Sequence, residues 1–145
     1  MRYVVDTNIF NRIADGKLTR LDLPVGAELV TTHIQENEIR ATASEARRAA
    51  LLAAFELHQD VRVPTESMTW GDAADWGNAK WGTAGFADPI EQALDELNRK
   101  KPGNRADSLI AEVAIANDYG LITADQHLAF VARSYMDPEK VLLKP

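Results

Sequence analysis

Asp6 closes a short apolar run, Tyr3-Val4-Val5, and three further acids stand at comparable places downstream: Glu38, Asp107 and Asp125. Carboxylates gathered in one place repel and raise one another's pKa values unless a cation neutralises them. A ligand set made only of oxygen favours the hard ions magnesium or manganese over zinc. One or two such ions activate water for in-line attack on phosphorus and stabilise the leaving oxygen. The chemistry that suits these residue types is divalent-metal-dependent phosphodiester hydrolysis.

Each acid also has a plainer reading. A strand-end Asp such as Asp6 or Asp125 often does no more than cap the next helix. Asp107 follows Asn104 by three residues, the spacing of a helix N-terminal arrangement with a favourable dipole. In Thr32-His-Ile-Gln-Glu36-Asn-Glu38-Ile39, helical geometry separates two acids. Glu36 has Arg40 four residues later as a surface partner, whereas Glu38 has none and borders an apolar stripe. A carboxylate so placed needs a cation from elsewhere. Glu38 is therefore preferred, with Glu36 second.

The elements that must position these acids alternate in type. Tyr3–Val5, Glu28–Thr32, Val61–Val63, Leu121–Thr123 and Lys140–Leu143 read as strands. Helices are expected over Ile9–Ala14, over Ile34–Leu57 as one long element, from Asp88, over Arg105–Tyr119 and over Gln126–Arg133. The long helix would bury a stripe of Ile39, Ala43, Ala46, Ala50, Ala53 and Leu57. Asp88-Pro89 with Glu91 has the form of a capping box, and Gly120 that of a helix stop. The segment from Trp70 to Lys80 is expected to be helical and Gly82–Ala87 to be loop. Alternation of this kind implies an α/β fold, a parallel sheet of about five strands with helices on both faces. In such sheets ligands bind beyond the carboxyl ends of the strands at a switch in strand order. Asp6 and Asp125 would share that crevice if their strands are neighbours.

Composition fits one domain over residues 1–145, with 46% apolar and 26% charged residues. The chain has no cysteine, which excludes disulfides, thiolate catalysis and zinc–thiolate sites. No apolar run reaches the length of a membrane span, and Asp6, Asn8 and Asn11 interrupt any signal-peptide core. A cytoplasmic protein is expected. The net charge of −6 is unhelpful for a nucleic-acid partner, although ions held by the acids would cancel part of it.

Val4-Val-Asp6-Thr-Asn8, Thr32-His-Ile-Gln-Glu-Asn-Glu38-Ile and Asp107-Ser-Leu-Ile-Ala111 through Tyr119-Gly-Leu-Ile-Thr123-Ala-Asp125 together resemble the PIN-domain nucleases, in particular toxin ribonucleases of VapC type. The resemblance covers most of the chain. It implies a magnesium- or manganese-dependent endoribonuclease leaving 3′-hydroxyl and 5′-phosphate ends. Asp6, Glu38, Asp107 and Asp125 would hold one or two ions, with Asn8 and Thr123 supporting them by hydrogen bonds. It also implies RNA as substrate, an antitoxin protein as partner, and dimers, which are frequent in the family. The chain departs from compact toxin members in its longer connection through Trp70–Phe86 and the following helix.

A non-catalytic domain of the same fold, acting as a protein- or RNA-binding module, is the competing reading. Mutually repelling carboxylates have no use in such a module. A phosphohydrolase of the haloacid dehalogenase type fits poorly, because Asn8 stands where a second Asp is wanted and no lysine adjoins Asp125. Trp70, Trp76 and Trp81 suit base stacking, a partner groove or a core under a long connection. Arg99, Lys100, Lys101 and Arg105 lead into Asp107 and would either steer phosphate or form a solvated helix end. Arg40, Arg47 and Arg48 form a second basic group, expected to face solvent. His33, His58 and His127 show no ligand spacing. Neither a nucleophile elbow nor a glycine-rich phosphate loop is present.

Overall fold

Five short strands line up in parallel in the order β3-β2-β1-β4-β5, and the two halves of the chain meet at the β1/β4 pair. They are β1 (Arg2–Val5), β2 (Glu28–Thr31), β3 (Val61–Arg62), β4 (Gly120–Thr123) and β5 (Val141–Leu143). The computed structural model describes residues 1–63 and 85–145. Among them are six α-helices: α1 (Thr7–Ala14), α2 (His33–Arg40), α3 (Glu45–His58), α4 (Ala87–Asn98), α5 (Asn104–Asn117) and α6 (Gln126–Ala132). None of the helices among the described residues is long and apolar enough to cross a membrane. The expected helix over 70–80 and the tryptophans lie outside the described residues.

The three central strands, β1, β2 and β4, are buried on both faces, so alternate residues feed two cores. Val4, Val30, Leu121 and Val141 pack against Ile90 and Leu94 of α4, Ile110 and Ala114 of α5, and Leu128 and Ala132 of α6. Tyr3, Val5, Leu29 and Ile122 pack against Ile9 and Phe10 of α1 and Leu51 and Phe55 of α3. The Phe10 and Phe55 rings meet edge to face, with centroids 5.3 Å apart. Such a pair adds about 1 kcal/mol beyond burial alone.

Two helices replace the single one expected over 34–57. Ala41 ends α2, Thr42 N–H turns back to the Ile39 carbonyl, and Ser44 Oγ caps a fresh start by accepting the Arg47 N–H at 3.2 Å. Serine competes for backbone groups and so favours a cap over a helix interior. The restart shifts the helical phase. Leu51, Ala54 and Phe55 turn inward, while Ala43, Ala46, Ala50 and Ala53 are exposed and Leu57 is 76% exposed.

Two terminus assignments are also corrected. The start of α4 is capped from outside: Glu112 of α5 accepts the Phe86 and Ala87 N–H groups, both at 3.1 Å. Asp88 and Glu91 instead bind Arg105, at 2.6 and 3.3 Å. The left-handed residue ending α5 is Asp118, at φ 56°. Gly120 serves another purpose, because a Cβ there would run into the Tyr3 ring and the Lys140 carbonyl oxygen.

Candidate active site

The end of β1 sets the first corner of the site. Asp6 is 2% exposed, and its backbone N–H continues the ladder to the Ile122 carbonyl of β4 at 2.8 Å. Its Oδ1 accepts the Thr7 N–H at 2.7 Å and its Oδ2 the Thr123 hydroxyl at 2.7 Å. Thr123 Oγ in turn accepts the Asp125 N–H at 3.0 Å. Thr123 thus joins Asp6 to the turn that carries Asp125. Asp125 caps α6, its Oδ1 accepting the N–H groups of His127 and Leu128 at 2.8 and 3.3 Å. Its capping role and its place beside Asp6 coexist, since only one of its oxygens is occupied. Asn8 makes no hydrogen bond to an acid among the described residues; its Oδ1 accepts the Ala124 N–H at 3.0 Å and ties α1 to the same turn.

Glu38 reaches the site from α2. The Thr7 hydroxyl donates to its Oε1 at 2.5 Å. That helix is docked by Gln35, which is fully buried and donates to the Val5 carbonyl at 2.8 Å. Gln35 Oε1 also accepts the Thr32 N–H at 2.8 Å. The next turn of α2 then carries Glu38 over Thr7. Neither Thr7 nor Gln35 is singled out by the sequence reading; the signal that would have found Gln35 is the capping-box spacing of Thr32-His-Ile-Gln35. Glu36 faces away and binds Arg40 at 2.8 Å and Arg62 at 2.5 Å.

Asp107 enters from the first turn of α5. Asn104, which opens that helix, is buried and donates to Asp95 and Asn98 at 2.8 and 2.9 Å, so it does not pair with Asp107. Among the described residues the Asp107 carboxylate accepts no hydrogen bond. Asp6, Glu38, Asp107 and Asp125 all line one cleft of about 330 Å³, with Lys101, Pro102 and Gly103 on one rim. Lys101 Nζ lies 4.0 Å from Asp125 Oδ2. Four other basic residues bind elsewhere. Arg105 binds Asp88, Arg40 binds Glu36, Arg48 donates to the Thr42 carbonyl, and Arg47 binds Asp15 across α1 and α3.

Burial raises the pKa of Asp6, Glu38 and Asp107, and neighbouring charges add to the rise at Asp6 and Asp107. Burial raises Asp6 to about 6, opposed by the Thr123 hydrogen bond and reinforced by Glu38 and Asp125. Burial raises Asp107 further, to about 8, with Asp6, Glu38 and Asp125 adding their charges and only Lys101 opposing. Glu38 is also raised by burial, against its bond from Thr7.

Donor chemistry fits a hard cation: every acidic group is an oxygen ligand, and Asp107, Asp125 Oδ2 and Glu38 Oε2 have no hydrogen-bond donor among the described residues. The spacing is looser than a finished cage. No three His, Asp or Glu side chains among the described residues stand close enough to hold an ion together as placed. Bringing three of the acids onto one ion would require side-chain movement. No protein-family profile matches the chain, and no curated protein matches it in sequence.

Proposed function

We propose that this protein is a divalent-metal-dependent ribonuclease of the PIN type, the toxin of a toxin–antitoxin pair. The observation that carries the reading is that acids from four separate segments, Asp6, Glu38, Asp107 and Asp125, line one cleft at the carboxyl edge of β1 and β4. Asp6 and Asp125 also cap helices, but Asp107 accepts no hydrogen bond among the described residues, and burial first and the neighbouring acids second raise the pKa of Asp6 and Asp107.

Asp6, Glu38, Asp107 and Asp125 would hold magnesium or manganese. Such an ion supplies the charge that activates water and stabilises the leaving oxygen of the phosphodiester. The protein's own residues orient the acids. Thr123 and the Thr7 N–H fix both oxygens of Asp6, and Thr7 and Gln35 fix Glu38 through its helix. Asp107 carries the charge with the greatest need of a cation. Lys101, whose Nζ lies 4.0 Å from Asp125 Oδ2, offsets part of the charge of the acids. The toxin assignment, the antitoxin partner and dimerisation rest on the sequence resemblance alone.

One observation favours the competing reading of a non-catalytic binding module: no ready-made three-acid cage stands among the described residues. Calorimetry separates the two. Manganese is expected to bind wild type and to bind Asp6→Asn at least about tenfold more weakly. Cleavage of RNA should stop in EDTA and return with magnesium or manganese, and only poorly with zinc. Equal manganese affinity in the two proteins, with no cleavage by either, would establish the binding module.

A further inference from the structure

The cleft has a second wall that the acids do not use. Beyond Asp6 and Glu38 it is lined by Asn11, Ile39, Thr42, Arg47 and Leu51. Ile39 and Leu51 belong to the core and show only 1% and 3% of their surface, so they form an apolar floor. Arg47 is held rigid above it. Its Nη1 donates to Asp15 Oδ1 at 2.6 Å and its Nη2 to Asn11 Oδ1 at 2.9 Å. Those bonds engage both Nη atoms, Nε makes no hydrogen bond among the described residues, and the side chain keeps 33% of its surface exposed. The Thr42 hydroxyl, on the α2–α3 turn, has no hydrogen-bond partner among the described residues.

We infer that this wall is a nucleobase subsite, which takes a base of a single-stranded RNA beside the phosphate presented to the acids. The inference rests on the ribonuclease reading of the same cleft. A guanidinium fixed through both Nη atoms, in a cleft also lined by aliphatic side chains, can serve as a stacking platform for a flat aromatic ring. A free hydroxyl and Nε supply hydrogen bonds to the edge of that ring. The charge arrangement points the same way. Both cations of the cleft, Arg47 and Lys101, already face carboxylates, Asp15 and Asp125. Phosphate attraction by lysine and arginine is therefore weak here, in a chain of net charge −6. Affinity for RNA has to come largely from the bases. The cleft of about 330 Å³, shared between the acids and this wall, is of the size that takes a single nucleotide.

Two variants test the subsite without touching the acids. Arg47→Lys keeps the charge and loses the plane, while Thr42→Val keeps the shape and loses the hydroxyl. Binding of a labelled single-stranded RNA hexamer and of an abasic hexamer is measured by fluorescence anisotropy, with calcium in place of magnesium. Arg47→Lys is expected to weaken binding of the RNA about tenfold and Thr42→Val about threefold, with a much smaller change for the abasic oligomer. Loss of the same size on both oligomers would overturn the subsite, because Arg47 would then act through charge or through the α1–α3 contact. So would unchanged RNA binding in both variants. If Arg47→Lys fails to fold by thermal melting, Thr42→Val decides alone. Cleavage by the wild type with manganese is read separately: cleavage without base-dependent binding defeats the subsite only, and absence of both defeats the ribonuclease reading with it.

Discussion

Glu112 and Asp107 lie on the same helix, α5, and burial is the first cause raising the pKa of each. Their surroundings differ in kind. Glu112 accepts two backbone N–H groups at the start of α4 and has Arg105 nearby, so its charge completes a helix terminus. Asp107 accepts nothing among the described residues and faces three other acids. A buried carboxylate with donors is part of the scaffold. One without donors, set among like charges, weakens the scaffold and makes sense as a place for a cation.

Activity should break the comparison most visibly. Asp6→Asn or Asp125→Asn is expected to lower RNA cleavage on the order of a hundredfold or more while the protein still folds. Glu112→Gln should leave cleavage within about a factor of three. Cleavage assays beside circular dichroism check both, and undiminished activity in both Asp variants would remove the assigned site.

Stability should show the reverse order. Glu112→Ala strips two buried N–H groups of their acceptor and is expected to cost about 2–3 kcal/mol. Asp107→Asn should leave the metal-free protein as stable as wild type or about 1 kcal/mol more so, because it removes a repelling charge and no hydrogen bond. Urea unfolding in EDTA measures both. Manganese should then stabilise wild type by about 1–3 kcal/mol at saturating concentration and Asp107→Asn by less.

The pH dependence sharpens the contrast with a smaller effect. Asp107 ordinarily titrates near 3.8 and is raised to about 8 in the fold. Between those values the folded state binds more protons than the unfolded one. Metal-free stability should therefore fall as pH rises through that window and level off above it. Asp107→Asn should flatten this slope. Melting temperatures between pH 5 and pH 9, on both proteins in EDTA, test the sign; a slope equal in the two would assign it to other groups.

Much of the architecture was legible because it rests on local pattern. β-Branched runs between helical periods mark parallel strands buried on both faces, and the five strands lie where those runs are. The choice of Glu38 over Glu36 as the acid facing inward was legible too, since Arg40 stands one turn after Glu36 and binds it. Where the reading went astray, a local signal had two meanings. Alanines at 43, 46, 50 and 53 have high helix propensity, so they looked like a continuous buried stripe. Ser44 restarts the helix, and they face solvent. Asp88-Pro89 looked like a cap, but Glu112, twenty-five residues from Ala87, makes the bonds.

The sequence by itself determined the kinds of element, their order and the oxygen-only chemistry available at Asp6, Glu38, Asp107 and Asp125, because propensity, periodicity and side-chain type are local properties. Only the tertiary structure decided which strands are neighbours, that Thr123 holds Asp6 and Asn8 holds a turn, that Gln35 docks the helix of Glu38, and that Arg47 lies along the same cleft. Those contacts join residues up to 117 positions apart. Their partners are chosen by strand order and by the competition of buried polar groups for donors, and neither is written in any short stretch of chain.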